Sequence, residues 1–185
     1  KYAFENASKE EKFKKLLLRK DQGSLLIDTN KNIENLLYKV VSRSDIIEIA
    51  KTVWSCEKIY YASSWSHYRF VDPEVADQMN YHSLHIDKGF LKTKSLNICL
   101  PATAYGREYS GIEIFTDLVV DKNKIIDYKL IEPYVELGEA LVFHENTLHR
   151  RTVNNKSKIR INTEFRIFPD YTDDKDNRFN LKELA

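Results

Sequence analysis

The sequence predicts an α+β fold, mainly β, in which helices near the N-terminus cover one face of a β-rich core of sandwich, jelly-roll or barrel type. Three observations lead there. Apolar residues at helical spacing stop at about Trp54, and beyond it come short segments rich in Ile, Val, Tyr and Phe set between polar turns. Six such segments follow one another with no helical pattern in between, which excludes a doubly wound parallel sheet. The length of 185 residues, 42% hydrophobic and 31% charged, suits a single domain over residues 1–185.

Taken in order, residues 9–20 carry charges around the Leu16-Leu17-Leu18 cluster and predict an amphipathic helix; residues 32–40 and 44–53 predict two more. Ser44 and Asp45 suit the start of the third, because their side-chain oxygens can accept from backbone N–H groups that a first turn leaves open. Together these form a helical N-terminal part, 1–54. Strands are predicted at 58–62, 95–100, 112–118, 134–137, 140–143 and 159–168, within a core of 55–169. Asp121-Lys122-Asn123 and Asn154-Asn155 have the chemistry of hairpin turns. Residues 170–185 are strongly charged and predict a polar peripheral tail or a short helix.

Strand alternation sorts side chains by face. In 159–168, Ile159, Ile161, Phe165 and Ile167 point one way, and Arg160, Asn162, Glu164 and Arg166 the other. Leu96, Ile98 and Leu100 likewise stand opposite Ser95, Asn97 and Cys99. Either the sheet has one wet face, or its apolar face packs on the helices while its polar face lines a cavity.

Composition removes several function classes. Lys and Arg (29) balance Asp and Glu (28) at a formal charge of +1, so no global field favours nucleic acid or an anionic membrane. No apolar run approaches the roughly 18 residues of a membrane span. Cys56 and Cys99 form no metal-binding or redox spacing and read as reduced thiols of a cytoplasmic protein. The five glycines build neither GxGxxG nor GxxxxGK, and GxSxG and HExxH are missing too, so the chemistry must come from scattered His, Asp and Glu.

The sharpest local feature is His85-Ile86-Asp87. In an extended segment His85 and Asp87 share a face, whereas His82 points away. Such a pair serves as two metal ligands or as a plain structural hydrogen bond. After sixty-one intervening residues comes His149, and after ten more comes Arg160 on the polar face already identified. Two imidazoles and one carboxylate make the facial triad of non-haem Fe(II) oxygenases, which leaves three adjacent positions for a bidentate cosubstrate and dioxygen. An arginine deeper in a barrel can hold a distant carboxylate by a charge-assisted pair.

Residues 85–168 resemble the double-stranded β-helix core of Fe(II)/2-oxoglutarate dioxygenases, and within them the phytanoyl-CoA dioxygenase-like group. The likeness rests on His85-x-Asp87, Ser110-Gly-Ile-Glu-Ile-Phe115, Gly138-Glu-Ala-Leu-Val-Phe-His144 with Thr147-Leu-His149, and Arg160-Ile-Asn-Thr-Glu-Phe-Arg166. It implies a jelly-roll, cupin-like core, Fe(II) on His85, Asp87 and His149, and the C5 carboxylate of 2-oxoglutarate on Arg160. It further implies hydroxylation of a small or medium-sized organic substrate by dioxygen, with release of succinate and CO₂. Asp87 stands where related halogenases have a small residue, which argues for hydroxylation over halogenation. The chain departs from the group in lacking a Pro-Gly-Ser-His-like turn after the 112–118 strand, and in carrying Arg151 where a small hydroxyl residue is common.

Other residues compete for these roles. His144 rivals His149, but only His149 has the group's spacing to Arg160. His67 and His82 read as structural or surface histidines. Lys158 shares a strand face with Arg160, which the guanidinium fork and the spacing favour. Asn97 is a candidate second donor to 2-oxoglutarate. Trp65, Tyr68, Tyr105 and Arg107 are candidates for a substrate rim, with Arg107 or Arg151 meeting an anionic group. Two alternatives stand beside the oxygenase: a cupin-like metalloenzyme that does not use 2-oxoglutarate, and a non-catalytic β-barrel that binds a ligand or partner.

Overall fold

The structure is a computed structural model and describes residues 24–28, 31–62, 67–71, 84–87, 94–116, 120–121, 124–125, 129–152, 158, 160–169 and 181–184. In chain order these form β1 (Ser24–Asp28), α1 (Lys31–Val41), α2 (Ser44–Trp54), β2 (Ile59–Ala62), β3 (His67–Val71) and β4 (Leu96–Pro101). There follow β5 (Ile112–Thr116), β6 (Val120–Asp121), β7 (Lys124–Ile125), β8 (Lys129–Ile131), β9 (Leu141–His144), β10 (Leu148–Arg151), β11 (Arg160–Pro169) and β12 (Leu181–Glu183).

The strands build two main antiparallel sheets and a small β6–β7 ribbon. The long β11 organises the first sheet. One of its edges pairs with β4, which continues to β9, and the other pairs with β3 and then β2, flanked by β1 and β12. The second sheet runs β10-β5-β8.

Register sets the two faces of the first sheet. Phe165 opposes Ile98, and Ile167 opposes both Leu96 and Tyr61. These residues pack with Val41, Ile47, Ala50 and Trp54 of the helices into one buried cluster. The α2 sequence brings Ile47, Ala50 and Trp54 to one side at three- and four-residue spacing, and the helix stops at Ser55, whose left-handed backbone (φ 52°) lets its N–H reach the Lys51 carbonyl at 2.7 Å. On the opposite face Arg166 pairs with Asn97 and Glu164 with Cys99. That face looks toward the second sheet, and between them lies a second buried cluster containing Cys99, Tyr105, Ile112, Val135 and Phe143. The alternation in 159–168 therefore separates a helix-covered face from an interior face that carries polar groups.

Several elements differ from expectation. The helix predicted at 9–20 lies outside the described residues. The segment 24–28, inside the part read as helical, is a strand that pairs with β3. No strand forms at 134–137: Val135 makes one bridge with Tyr105, and a turn follows in which Glu136 N–H meets the Glu139 carboxylate at 2.8 Å and Gly138 adopts φ 97°. The charged 170–185 stretch yields a strand at Leu181–Glu183, because Leu181 packs beside Ala62 and Phe168 while Glu183 pairs with Lys58 at 3.1 Å. Among the described residues no helix is long and apolar enough to cross a membrane.

Candidate metal centre

His85 and His149 are brought together by main chain. Each backbone N–H donates to the other's carbonyl at 3.0 Å, so the 84–87 segment joins the edge of β10 that β5 leaves open. Directly opposed antiparallel residues carry their side chains on one face. The two imidazole centroids are accordingly 4.4 Å apart. Asp87, two residues beyond His85, returns to the same side. One ligand atom from each of His85, Asp87 and His149 lies within 4.8 Å of the others, the one such group among the described residues. Asp87 and His149 are buried, whereas His85 is half exposed toward solvent.

Both buried ligands are held from behind. Asp87 Oδ2 accepts from Arg166 Nη2 at 2.9 Å and from the Asn97 amide, while Oδ1 stands 3.8 Å from His85 Nε2. His149 Nδ1 lies 2.8 Å from the Thr147 carbonyl. A carbonyl only accepts, so Nδ1 carries the proton and Nε2 keeps the lone pair for a metal. Burial, with the Phe143 ring 4.7 Å away, pushes the His149 pKa below its ordinary 6.5; the Thr147 bond and the Asp87 and Glu164 charges oppose that shift.

Arg160 sits at the start of β11, fully buried. Its Nη1 donates to the carbonyls of Gly111 (2.9 Å) and Ser110 (3.3 Å), and its guanidinium carbon lies 4.9 Å from the centre of the Tyr105 ring. Behind this seat Gly111 N–H donates to Thr152 Oγ1 at 3.0 Å, and Thr152 donates to Glu132 at 3.1 Å. A Cβ on Gly111 would come within 2.9 Å of both side chains, so glycine is needed for the close approach. The register relates the seat to the three candidate ligands: Gly111 precedes β5, and Ile114, three residues on, pairs with His149.

The remaining candidates fall as follows. Lys158 is exposed and paired with the Glu108 carboxylate. His144 lies at the end of β9 with Nδ1 3.0 Å from Glu145, outside the ligand group. Asn97 is buried with its amide on Asp87. Tyr105 is not on a rim: it is fully buried, because it packs in the interior cluster under Arg160. Arg107 is exposed, with its guanidinium 3.9 Å from the centre of the Tyr134 ring. Arg151 is half-buried on β10 opposite Ile112, on the arginine side of His149. His67 and Tyr68 lie on β3 opposite Glu164 and Thr163. Trp65 and His82 are outside the described residues.

Sequence reasoning missed Arg166 and Glu164 as members of the site. Glu164 is half-buried, accepts from Asn162 Nδ2 at 3.0 Å and acts electrostatically on His149. The alternation in 159–168 put both on the polar face; only the register with Asn97 shows that this end of the face meets Asp87.

No described protein family matches the chain, and no curated protein matches it in sequence. Among solved structures the fold is similar to the non-heme alpha-ketoglutarate-dependent epimerase SnoN from nogalamycin biosynthesis (TM-score 0.58, 10% identity, 73% of this chain and 57% of that one). It is similar also to EctD from S. alaskensis with bound Fe (0.55, 11%, 79% and 56%) and to the non-heme monooxygenase ThoJ in its Ni complex (0.52, 11%, 80% and 55%). The chain thus spans 55–57% of the length of these proteins. At 10–11% identity the likeness is one of fold: mainly β, with antiparallel sheets and few helices.

Proposed function

We propose that the chain is a non-haem Fe(II)- and 2-oxoglutarate-dependent oxygenase that hydroxylates a small or medium-sized organic substrate. The observation that carries this reading is the convergence of His85, Asp87 and His149, with Arg160 buried on the neighbouring strand face. The phytanoyl-CoA dioxygenase-like grouping rests on the sequence resemblance.

The residues fit such a metal. Two imidazoles and one carboxylate form the three-ligand face that suits Fe(II), and Asp87 offers Oδ1 because Arg166 and Asn97 take Oδ2. Charge fits the cosubstrate: the buried Arg160 guanidinium is a cation suited to a carboxylate. Length agrees as well. Gly111 and Ile114 are three residues apart, about 10 Å of strand, which a five-carbon dicarboxylate can bridge from Arg160 to a metal beside His149. When bound, iron and 2-oxoglutarate supply dioxygen activation with release of succinate and CO₂. Arg160 binds the far carboxylate, steered by the Gly111 and Ser110 carbonyls and the Tyr105 face; Thr147 fixes the His149 tautomer; and the half-exposed His85 marks the side open to substrate. Partner expectations accompany this reading: a small-molecule substrate, with neither nucleic acid nor membrane, in the cytoplasm.

The test is anaerobic titration of the protein with Fe(II) and 2-oxoglutarate, following the charge-transfer absorption of the chelated keto acid. One equivalent should saturate the band, and His149→Ala or Asp87→Ala should remove it. Arg160→Met should weaken 2-oxoglutarate binding while metal binding persists. Iron binding without the band would favour the cupin-like reading, and no iron binding would defeat the enzyme reading.

A further inference from the structure

Next to the metal cluster lies a cavity of about 890 Å³, within the range of small-molecule sites. It begins at His85 and spreads between the ends of β5, β9 and β10. Phe143, whose ring touches His149, and Ile114, which opposes His149, form its inner wall. Along β5 the order is therefore the Arg160 seat before Ile112, the metal cluster at Ile114, and the cavity at Phe115 and Thr116. Along β5 the cavity thus lies beyond the His149 position and the cosubstrate anchor before it.

The wall is chemically one-sided. Leu84, Ile86, Phe115, Val142 and Leu148 join Ile114 and Phe143, and among the described residues it holds no carboxylate, ammonium or guanidinium. Besides His85, the polar side chains among the described lining residues are Thr116, Asn146 and Thr147. At its mouth Leu84, Ile86 and Val142 remain 44%, 40% and 39% exposed, an apolar surface that costs free energy until something covers it. Arg107 lies against Tyr134 and Arg151 on the Arg160 side of His149, so neither lines this space.

We infer that the substrate entering this site is uncharged and mainly apolar where it approaches the metal, with hydroxyl or carbonyl groups matched to Thr116, Asn146 and Thr147. A free carboxylate, phosphate or ammonium on that part would find no counter-charge among the described lining residues. This inference rests on the oxygenase reading for the metal, while the cavity chemistry stands on its own residues.

The experiment uses matched probes with one apolar body and three heads: naphthalenemethanol, naphthoate and naphthylmethylammonium, and likewise decanol, decanoate and decylammonium. Binding to the anaerobic protein with Fe(II) and 2-oxoglutarate is read by perturbation of the absorption band, and binding to the metal-free protein by calorimetry. The neutral member of each set should bind at least about tenfold tighter than either charged one. Val142→Glu, an exposed position at the cavity mouth, should lower neutral-probe affinity by a similar roughly tenfold factor and favour the ammonium. A charged probe binding best, or no neutral probe binding in either assay, overturns the inference. If the band never forms but neutral probes bind preferentially by calorimetry, the oxygenase reading fails and the cavity chemistry stands.

Discussion

Arg166 holds Asp87 through one oxygen: its Nη2 donates to Oδ2 at 2.9 Å, and both side chains are more than nine-tenths buried. The contact orients the only carboxylate of the triad and offsets its charge. Supporting contacts of this kind are typically worth 10–100-fold in metal affinity. Arg166→Gln should therefore weaken Co(II) binding by roughly that factor, read by d–d absorption during titration. Arg166→Met, which removes the donor while keeping much of the volume, should behave alike; unchanged affinity in both would show that Asn97 alone suffices.

Gly111 makes a second, separable prediction. A methyl group there collides with Thr152 and Glu132, and the movement displaces the carbonyl that receives Arg160. Gly111→Ala should lower 2-oxoglutarate affinity by about tenfold, the scale of one displaced charge-assisted hydrogen bond. Metal affinity should stay within about twofold, because the three ligands lie elsewhere. Separate titrations of metal and of 2-oxoglutarate check both halves.

The buried His149 predicts a pH dependence of the metal-free protein. Its folded pKa is depressed below 6.5, so between that lowered value and 6.5 the unfolded chain binds more protons than the folded one. Its contribution is therefore fully present above 6.5 and is lost as pH falls through the window below it. Denaturant unfolding in the presence of a chelator should show stability declining in that window. The decline should be shallower in His149→Gln, and equal slopes in the two proteins would refute the assignment.

The helix-covered face supplies a prediction independent of the metal. Phe165 is fully buried and meets Tyr61 edge-on at 6.3 Å, in the cluster shared by the first sheet and α2. Phe165→Ala should cost about 3–5 kcal/mol from lost burial and the cavity left behind. Chemical denaturation would measure it, and Fe(II) affinity of the surviving folded fraction should not change.

Much of this architecture was legible because alternation and spacing act locally. The faces of 159–168 follow from a period of two, and they separate Phe165 and Ile167 from Arg160 and Arg166 in the structure as in the sequence. The HxD pair and His149 could be associated by spacing, yet the reason they meet is a main-chain bridge that no side-chain pattern encodes. Partners distant in sequence were hidden for the same reason: Arg166 and Asp87 are seventy-nine residues apart, and only the β4–β11 register places Asn97 beside both. Tyr105 looked like a rim residue because its neighbours Gly106 and Arg107 have loop chemistry; its burial follows from the bridge to Val135 and the overlying guanidinium. The Leu181–Glu183 strand escaped notice because three residues carry too little pattern, and its pairing with β2 is decided by the partner.

The ligand set stands on one layer of the fold, His149 on β10 and His85 and Asp87 on the segment that joins its edge. Asp87 is tied through Arg166 and Asn97 to the first sheet, and His149 belongs to the second. A divalent ion seated on the three would fasten the 84–87 segment to β10 and, through the Asp87 contacts, hold it against the first sheet. Resistance to unfolding should then climb with the logarithm of free metal, by about 2.7 kcal/mol at a hundredfold excess over Kd. The ion would give the protein mechanical closure as well as chemistry.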